Sequence, residues 1–363
     1  MKGLYIMTIS EEIRRLNLPP ILKFADGRDV TAENWPQRRD EILRIFEEHE
    51  YGCSPRGPFE VTGELTYKRE DDYANKVLTE KYRLTVNDTA ENVSFSFPVV
   101  FHTPYGGRKK PLFILINFRD QTPDEYMPVE EITDRGAAVA MIYYNDVAED
   151  ANDDFKSGVG PLYPRDKYDW SKIGMWAWSM SRTLDFALSL DRYNERKIAC
   201  VGHSRLGKTS LWCGAQDERF KYVFVNDSGC SGDAVTRGKT GERIVHITNA
   251  FPVWSNDKYK EYRDREDEMP FDQHMLVAAV APRHVYGGTA VLDTWADPYS
   301  QYMSYYLAND VYKLLGMKPA DFPDRRPDTG ERFMGGDIGF HMRHGAHFFS
   351  REDWQCYLNF MEL

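Results

Sequence analysis

The hydrophobic pattern of the chain changes character after its first hundred residues. Three early segments, residues 59–70, 76–86 and 92–102, alternate apolar and polar positions and are separated by turn-rich stretches. A period of two is typical of strands with one buried face, so these segments predict an antiparallel meander. Before them, residues 31–50 have a polar start and many helix-forming residues, which predicts a helix.

Continuous apolar runs follow the meander. They lie at residues 111–118 (PLFILINF), 137–144, 197–201, 221–225 and 284–290. An uninterrupted apolar run is typical of a strand buried on both faces of a sheet. Helical apolar spacing between the second and third runs is given by Ile173, Trp176, Ala177, Met180 and Leu184. The alternation predicts an α/β fold, a doubly wound and mostly parallel sheet with helices on both faces, preceded by antiparallel strands.

Length and composition set the size of this unit. With 363 residues, 42% of them hydrophobic, the chain can bury a large core. We expect residues 1–30 to be an N-terminal extension and residues 31–363 to form one catalytic domain. The five cysteines are odd in number and widely spaced, which argues against a disulfide framework or a zinc site.

Charge and hydropathy exclude several kinds of partner. The formal net charge is −11 and no basic run exceeds three residues, so nucleic acid is not an expected partner. No stretch of eighteen apolar residues exists, and we expect no association with a membrane. The short apolar run near the N-terminus meets charged residues without a small-residue cleavage site, which we interpret as cytoplasmic location.

The loop after the third apolar run reads GHSRLGKT, residues 202–209, and fits two incompatible motifs. It matches the phosphate-binding P-loop pattern G-x-x-x-x-G-K-[ST] at every specified position. It also resembles the nucleophile elbow G-x-S-x-G of serine hydrolases, with Ser204 as nucleophile. In that interpretation the second glycine comes one residue late, at Gly207, and Leu206 holds its usual place.

The surrounding sequence favours the elbow. P-loop domains usually begin near their motif, whereas several strands and a long helix precede this one. Bulky or polar residues, His203 to Arg205, occupy positions that are commonly glycine in phosphate cradles. Three histidines stand close together near the C-terminus, at 341, 344 and 347. A serine hydrolase with an elbow needs a histidine late in the chain, because its catalytic order is serine, acid, histidine.

Several ordered motifs carry a family resemblance. They are GHSRLGK, SLWCGAQDERF, NDSGCSG, PFDQHML, WADP and FHMRHGAHFF, and they span the chain from Trp35 to Trp354. Together they resemble carbohydrate esterase family 15, the glucuronoyl esterases and their bacterial relatives. The resemblance implies an α/β-hydrolase fold, no metal or other cofactor, and cleavage of glucuronic acid esters carried on xylan.

The resemblance also implies roles for individual residues. Ser204 matches the nucleophile, Arg205 the oxyanion-hole residue, Lys208 and Glu242 two ligands of sugar hydroxyls, Trp295 the aromatic lining of the uronate site, and His347 the general base. An amide and a cation aimed at the developing oxyanion stabilise it most in a dry pocket, which suits the place of Arg205 beside Ser204. The loop at residues 117–120 lacks the expected glycine, and we regard it only as a pocket wall.

Two aspartates compete for the acid of the triad. The family position, directly before Ser-Gly, holds Asp227, which is one methylene shorter than the usual glutamate. Asp293 follows a later strand, where some relatives place their acid. Either carboxylate can orient and charge-balance an imidazolium, and we favour Asp227 slightly because its position is the one the family uses most.

The leading hypothesis is therefore a serine esterase acting on a small or oligosaccharide ester of (4-O-methyl)glucuronic acid through an acyl-enzyme. The nearest alternative is another sugar esterase, such as an acetyl esterase. A P-loop nucleotide hydrolase and an inactive sugar-binding relative are the further alternatives. Glu242 and Trp295 favour the uronate ester, and the pair of Ser204 and His347 argues against an inactive protein.

Overall fold

The computed structural model describes residues 7–363. Its strands are β1 Phe59–Asp71, β2 Val77–Asp88, β3 Val93–Pro104, β4 Lys110–Asn117, β5 Ala138–Tyr143, β6 Tyr193–His203, β7 Tyr222–Asn226, β8 His284–Ala290, β9 Arg332–Phe333 and β10 Ile338–Arg343. They form one sheet in the order β1-β2-β3-β5-β4-β6-β7-β8-β10-β9. The strands from β4 to β8, together with β10, run parallel, whereas β1, β2 and β3 are antiparallel and join the sheet through β5.

Helices cover both faces of this sheet. They are α1 Ile9–Leu16, α2 Trp35–Phe46, α3 Asp72–Asn75, α4 Val129–Asp134, α5 Lys172–Ser189, α6 Arg205–Gln216, α7 Ile244–Ala250, α8 Gln273–Ala278, α9 Pro298–Leu314 and α10 Arg351–Phe360. The predicted helix over residues 31–50 corresponds to α2 and the π-helical turn that continues it, Glu47–Tyr51. The predicted α/β architecture is confirmed.

The continuous apolar runs are explained by burial on two sides. Along β4, Ile114 and Ile116 belong to the larger hydrophobic core, which contains α5 and α6. Phe113 and Leu115, which alternate with them, belong to a second core under α4 and α10. Successive side chains of a strand point to opposite faces, so a strand between two helical layers has no polar face.

The sequence pattern did not predict β10, whose residues read IGFHMR. In the sequence this segment stands out only through its histidines, and charged and polar residues interrupt its apolar run. All six residues are nevertheless buried, and the strand pairs in parallel with β8. Its two basic residues are tolerated because both bond the buried carboxylate of Asp353 on α10, His341 at 2.8 Å and Arg343 at 3.0 Å.

The described part of the predicted extension packs against the rest of the chain. Ile9 is fully buried. The carbonyl of Pro19 lies 2.9 Å from His274 Nε2, and Arg38 Nε donates to the carbonyl of Ile21 at 3.0 Å. Residues 1–6, which contribute most of the apolar run used to predict location, lie outside the described residues. Within residues 7–363, no helix is long and apolar enough to cross a membrane.

The buried pair of His341 and Asp353 makes the stability of the fold depend on pH. Burial alone would lower the pKa of His341, but the hydrogen bond to Asp353 and the neighbouring Cys356 thiol outweigh it and raise the pKa from 6.5 to about 9. A histidine whose pKa is raised by folding stabilises the native state fully below its unfolded pKa. That contribution is lost as the pH rises through the folded value.

We therefore expect the melting temperature of the wild type to fall by several degrees between pH 7 and pH 10. His341→Gln removes the titrating group, so its melting temperature should start lower and fall less over the same interval. Calorimetry of both proteins at each pH measures the difference. Melting temperatures that fall equally with pH in the two proteins would show that His341 is not the group responsible for the pH dependence.

Candidate active site

Ser204 occupies a strained turn between β6 and α6. Its backbone has φ 59° and ψ −128°, in the region that non-glycine residues rarely adopt. Its N–H donates to the carbonyl of Asn226 at 2.8 Å, which ties the turn to β7. This is the conformation of a nucleophile elbow, which presents the serine hydroxyl above the carboxyl end of the sheet.

The two glycines of the motif are required by close backbone contacts. A Cβ on Gly202 would lie 2.0 Å from the carbonyl oxygen of Leu206, and one on Gly207 would lie 2.9 Å from that of Asn226. The second glycine therefore stands where α6 passes closest to β7, one residue later than in the G-x-S-x-G pattern. The same glycines that satisfy the P-loop pattern here serve a strand-to-helix turn.

Ser204, His347 and Asp293 form one hydrogen-bonded row. His347 Nε2 lies 2.9 Å from Ser204 Oγ, and His347 Nδ1 lies 2.6 Å from Asp293 Oδ2. Burial alone would raise the pKa of Asp293, but the hydrogen bond and charge of His347 outweigh it and lower the pKa below its usual value. Asp293 is thus ionised at neutral pH, as required to hold the imidazole in the tautomer that accepts the serine proton.

Asp227 lies beside this row without a hydrogen bond to His347. Its Oδ1 accepts from Thr289 Oγ1 at 2.7 Å and from the N–H of Ala290 at 3.0 Å, so its short side chain ties β7 to β8. Burial, followed by the charges of Asp293 and Asp353, raises its pKa. The preference for Asp227 as the acid that orients His347 therefore does not agree with the hydrogen bonding, in which Asp293 takes that place.

The loop that carries His347 is anchored by Arg343, which the sequence pattern did not single out. The guanidinium donates to the carbonyl of His344 at 3.3 Å and to that of Phe348, so it holds the loop on both sides of His347. Its Nε bonds both oxygens of Asp353 at 3.0 Å. The available signal was an arginine inside the histidine cluster, between His341 and His344.

Of the three clustered histidines, only His347 joins the row. His341 is buried with Asp353, and His344 is exposed. His203 from the elbow motif lies against His347, with ring centroids 4.5 Å apart. Burial first, and then the charge of His347, lower the pKa of His203 to about 3, so it is a neutral packing partner at neutral pH.

Arg205 begins α6 directly after Ser204. The first N–H groups of a helix lack intrahelical acceptors and stand at the positive end of its dipole, which suits them to stabilise an anion next to the serine. The Arg205 side chain forms an ion pair with Asp150 and lies over the ring of Trp254 at 4.4 Å. Phe118, from the loop at 117–120, lies 5.7 Å from the same guanidinium.

The predicted substrate-binding residues differ in exposure. Trp295 is 54% exposed, and its carbonyl accepts the backbone N–H of Glu242 at 2.9 Å, so these two residues adjoin at the rim. The ring of His246 lies 5.1 Å from that of Trp295. Lys208 is buried, and its ammonium donates to the carbonyl of Ser228.

Comparison with known proteins places this geometry in a family. The family model for fungal glucuronyl esterases matches residues 84–316, more than half of the chain. The chain is 30% identical over 312 residues to 4-O-methyl-glucuronoyl methylesterase 1 of Wolfiporia cocos, covering 83% of this chain and 72% of that protein. It is 29% identical to carbohydrate esterase MZ0003 from an unknown prokaryotic organism, covering 97% of this chain and 90% of that one.

A solved structure agrees with these relatives. The glucuronoyl esterase of Solibacter usitatus superposes with a TM-score of 0.85 at 30% sequence identity, covering 95% of this chain and 97% of that one. The predicted resemblance and the predicted enzyme class are therefore confirmed. The chain belongs to carbohydrate esterase family 15 and is a carboxylic ester hydrolase with an α/β-hydrolase fold.

Proposed function

We propose that this protein hydrolyses esters of 4-O-methyl-glucuronic acid through an acyl-enzyme on Ser204. The observation that carries the proposal is the row of Ser204, His347 and Asp293 on a strained elbow. The similarity to glucuronoyl methylesterases supports the choice of the acyl group.

In the proposed reaction, His347 accepts the proton of Ser204 as its Oγ attacks the ester carbonyl. The protonated imidazole then gives that proton to the departing alcohol, which leaves an acyl-enzyme. A water molecule, deprotonated by the same histidine, releases the acid and regenerates the serine. Asp293 stabilises the transient imidazolium, while the N–H and guanidinium of Arg205 stabilise the oxyanion of each tetrahedral intermediate.

The sugar is held by Trp295, Glu242 and Lys208. The exposed face of Trp295 can pack on the apolar side of a pyranose ring, and the adjoining carboxylate of Glu242 can accept from its hydroxyls. Lys208 has three donors, and its bond to Ser228 uses one of them. We therefore retain Lys208 as a candidate ligand for a sugar hydroxyl.

Side-by-side hydrolysis of benzyl glucuronate and p-nitrophenyl acetate tests the substrate. We expect a clear preference in kcat/KM for the glucuronate ester, because the acetyl group can contact neither Trp295 nor Glu242. An equal or greater kcat/KM for the acetate would instead support a general or acetyl esterase.

Trp295→Ala should raise KM for benzyl glucuronate by about tenfold, since it removes a stacking surface for the sugar. Hydrolysis of p-nitrophenyl acetate should change little. Tyr67→Ala, which removes another exposed ring on the distant strand β1, serves as the matched control. Equal losses on both substrates would count against a sugar-binding role for Trp295.

A further inference from the structure

Asp150, in the loop after β5, is bonded to the side chain of Arg205. Its Oδ2 forms an ion pair with Nη1 of Arg205, and its Oδ1 accepts from Trp254 Nε1 at 2.7 Å. The Asp150 side chain is only 7% exposed. Both oxygens of the carboxylate are therefore bonded, and a buried charge with two donors has little freedom to rotate.

The loop around Asp150 is itself fixed from below by Lys172. This lysine, at the first turn of α5, is fully buried. Its ammonium donates to the carbonyls of Glu149 and Ala151, the residues on either side of Asp150, and pairs with Asp153 at 2.5 Å. A buried ammonium bound to two carbonyls and a carboxylate has all three donors used, so the backbone at Asp150 is held in place.

Aromatic rings restrict Arg205 from the side. Its guanidinium lies 4.4 Å from the ring of Trp254 and 5.1 Å from that of Phe251. These two rings stack in parallel with centroids 3.8 Å apart, so the guanidinium packs on a rigid aromatic surface. A planar, weakly hydrated guanidinium is suited to such stacking.

We propose that Asp150 is a positioning residue that holds the guanidinium of Arg205 in a fixed orientation for stabilising the oxyanion. The proposal rests on the proposed function, in which Arg205 stabilises the tetrahedral intermediates. A donor that is already oriented stabilises developing charge without reorganising during the reaction. A free arginine side chain would instead have to be ordered in each transition state.

The paired carboxylate has a second consequence for the reaction product. The ester substrate is uncharged at its carbonyl, whereas the released uronate is an anion. An unpaired Arg205 would bind that carboxylate as a salt bridge, but Asp150 already neutralises the guanidinium and repels a second carboxylate. The pairing therefore favours product release, and Asp150 serves the oxyanion only by orienting the guanidinium, since its own charge opposes negative charge there as well.

Asp150→Asn tests the proposal, because asparagine retains the size and one acceptor but removes the charge. We expect kcat for benzyl glucuronate to fall about tenfold or more, with KM within about threefold of wild type. Inhibition by free glucuronate should become several-fold tighter. Asp185→Asn is the matched control, since Asp185 lies on α5 away from the site, accepts from Arg182 at 2.6 Å and pairs with Arg219.

The Arg205→Ala background shows whether Asp150 acts through Arg205. There, Asp150→Asn should lower kcat by less than about threefold, because the group that it positions is absent. Trp254→Phe keeps an aromatic ring but removes the donor to Asp150, so it should lower kcat by a smaller factor than Asp150→Asn. It tests the same contact if Asp150→Asn does not fold.

Unchanged or increased kcat in Asp150→Asn, or an equal loss with and without Arg205, would overturn the inference. So would weaker inhibition by glucuronate. These outcomes differ from failure of the proposed function, in which the wild type itself would not hydrolyse the glucuronate ester.

Discussion

Replacing Ser204 with alanine is expected to lower kcat for benzyl glucuronate by about 10⁴-fold or more, which in most assays means no detectable activity. The hydroxyl is the attacking group, and loss of a triad member costs several powers of ten in rate. Alanine leaves the turn and its bond to Asn226 in place, so the melting temperature should stay close to that of the wild type.

Steady-state kinetics and thermal unfolding of the same preparation check both parts of this result. Ser189→Ala is a suitable control, because Ser189 is a serine on α5 whose hydroxyl donates to the carbonyl of Phe186 on the same helix. Retention of even a tenth of wild-type activity in Ser204→Ala would rule out the serine as nucleophile.

The second large effect is expected at Asp293. Asp293→Asn should lower kcat by about 10³- to 10⁴-fold, because an amide opposite Nδ1 favours the wrong tautomer of His347 and cannot balance an imidazolium. Asp227→Asn is the matched comparison, because it makes the same substitution in a carboxylate that lies within 4.8 Å of both Asp293 and His347. Since Asp227 bonds Thr289 and Ala290 and not His347, its loss should lower kcat less than tenfold.

Measuring kcat for both single variants and the double variant separates the two carboxylates. If Asp293 acts alone, the double variant should resemble Asp293→Asn. A wild-type rate in Asp293→Asn together with an inactive Asp227→Asn would reverse the assignment and restore the position that the family pattern favours.

The hydrogen bonding departs from the preference for Asp227 for a specific geometric reason. Both aspartates follow adjacent strands, β7 and β8, and the sequence places both at the catalytic edge of the sheet. The short side chain of Asp227 accepts hydrogen bonds from Thr289 and Ala290 on the neighbouring strand instead. Asp293 stands three residues beyond β8, on a turn closed by its own N–H to the carbonyl of Ala290 at 3.0 Å, and from there it meets the loop of His347.

Much of this protein could be predicted from the sequence because the relevant signals are local. The alternating segments within residues 59–102 and the apolar runs that follow match β1 to β8, and burial on two faces explains the apolar runs. The elbow is recognisable because its glycines and Ser204 lie within six consecutive residues, although the contact that requires Gly207 is with Asn226 on β7. The family motifs similarly pointed to Glu242 and Trp295, which adjoin at the rim.

Only the tertiary structure decided the features that depend on partners far apart in the chain. Asp293 and His347 are separated by 54 positions, and His347 and Ser204 by 143. The burial of β10 depends on Asp353 from another element, and the bond between Asp150 and Arg205 joins a loop to a helix 55 residues later. The local sequence pattern predicts which residues lie at the edge of the sheet. Their hydrogen-bond partners depend on the positions of strand ends and loops that are distant in the chain, and only the tertiary structure determines those positions.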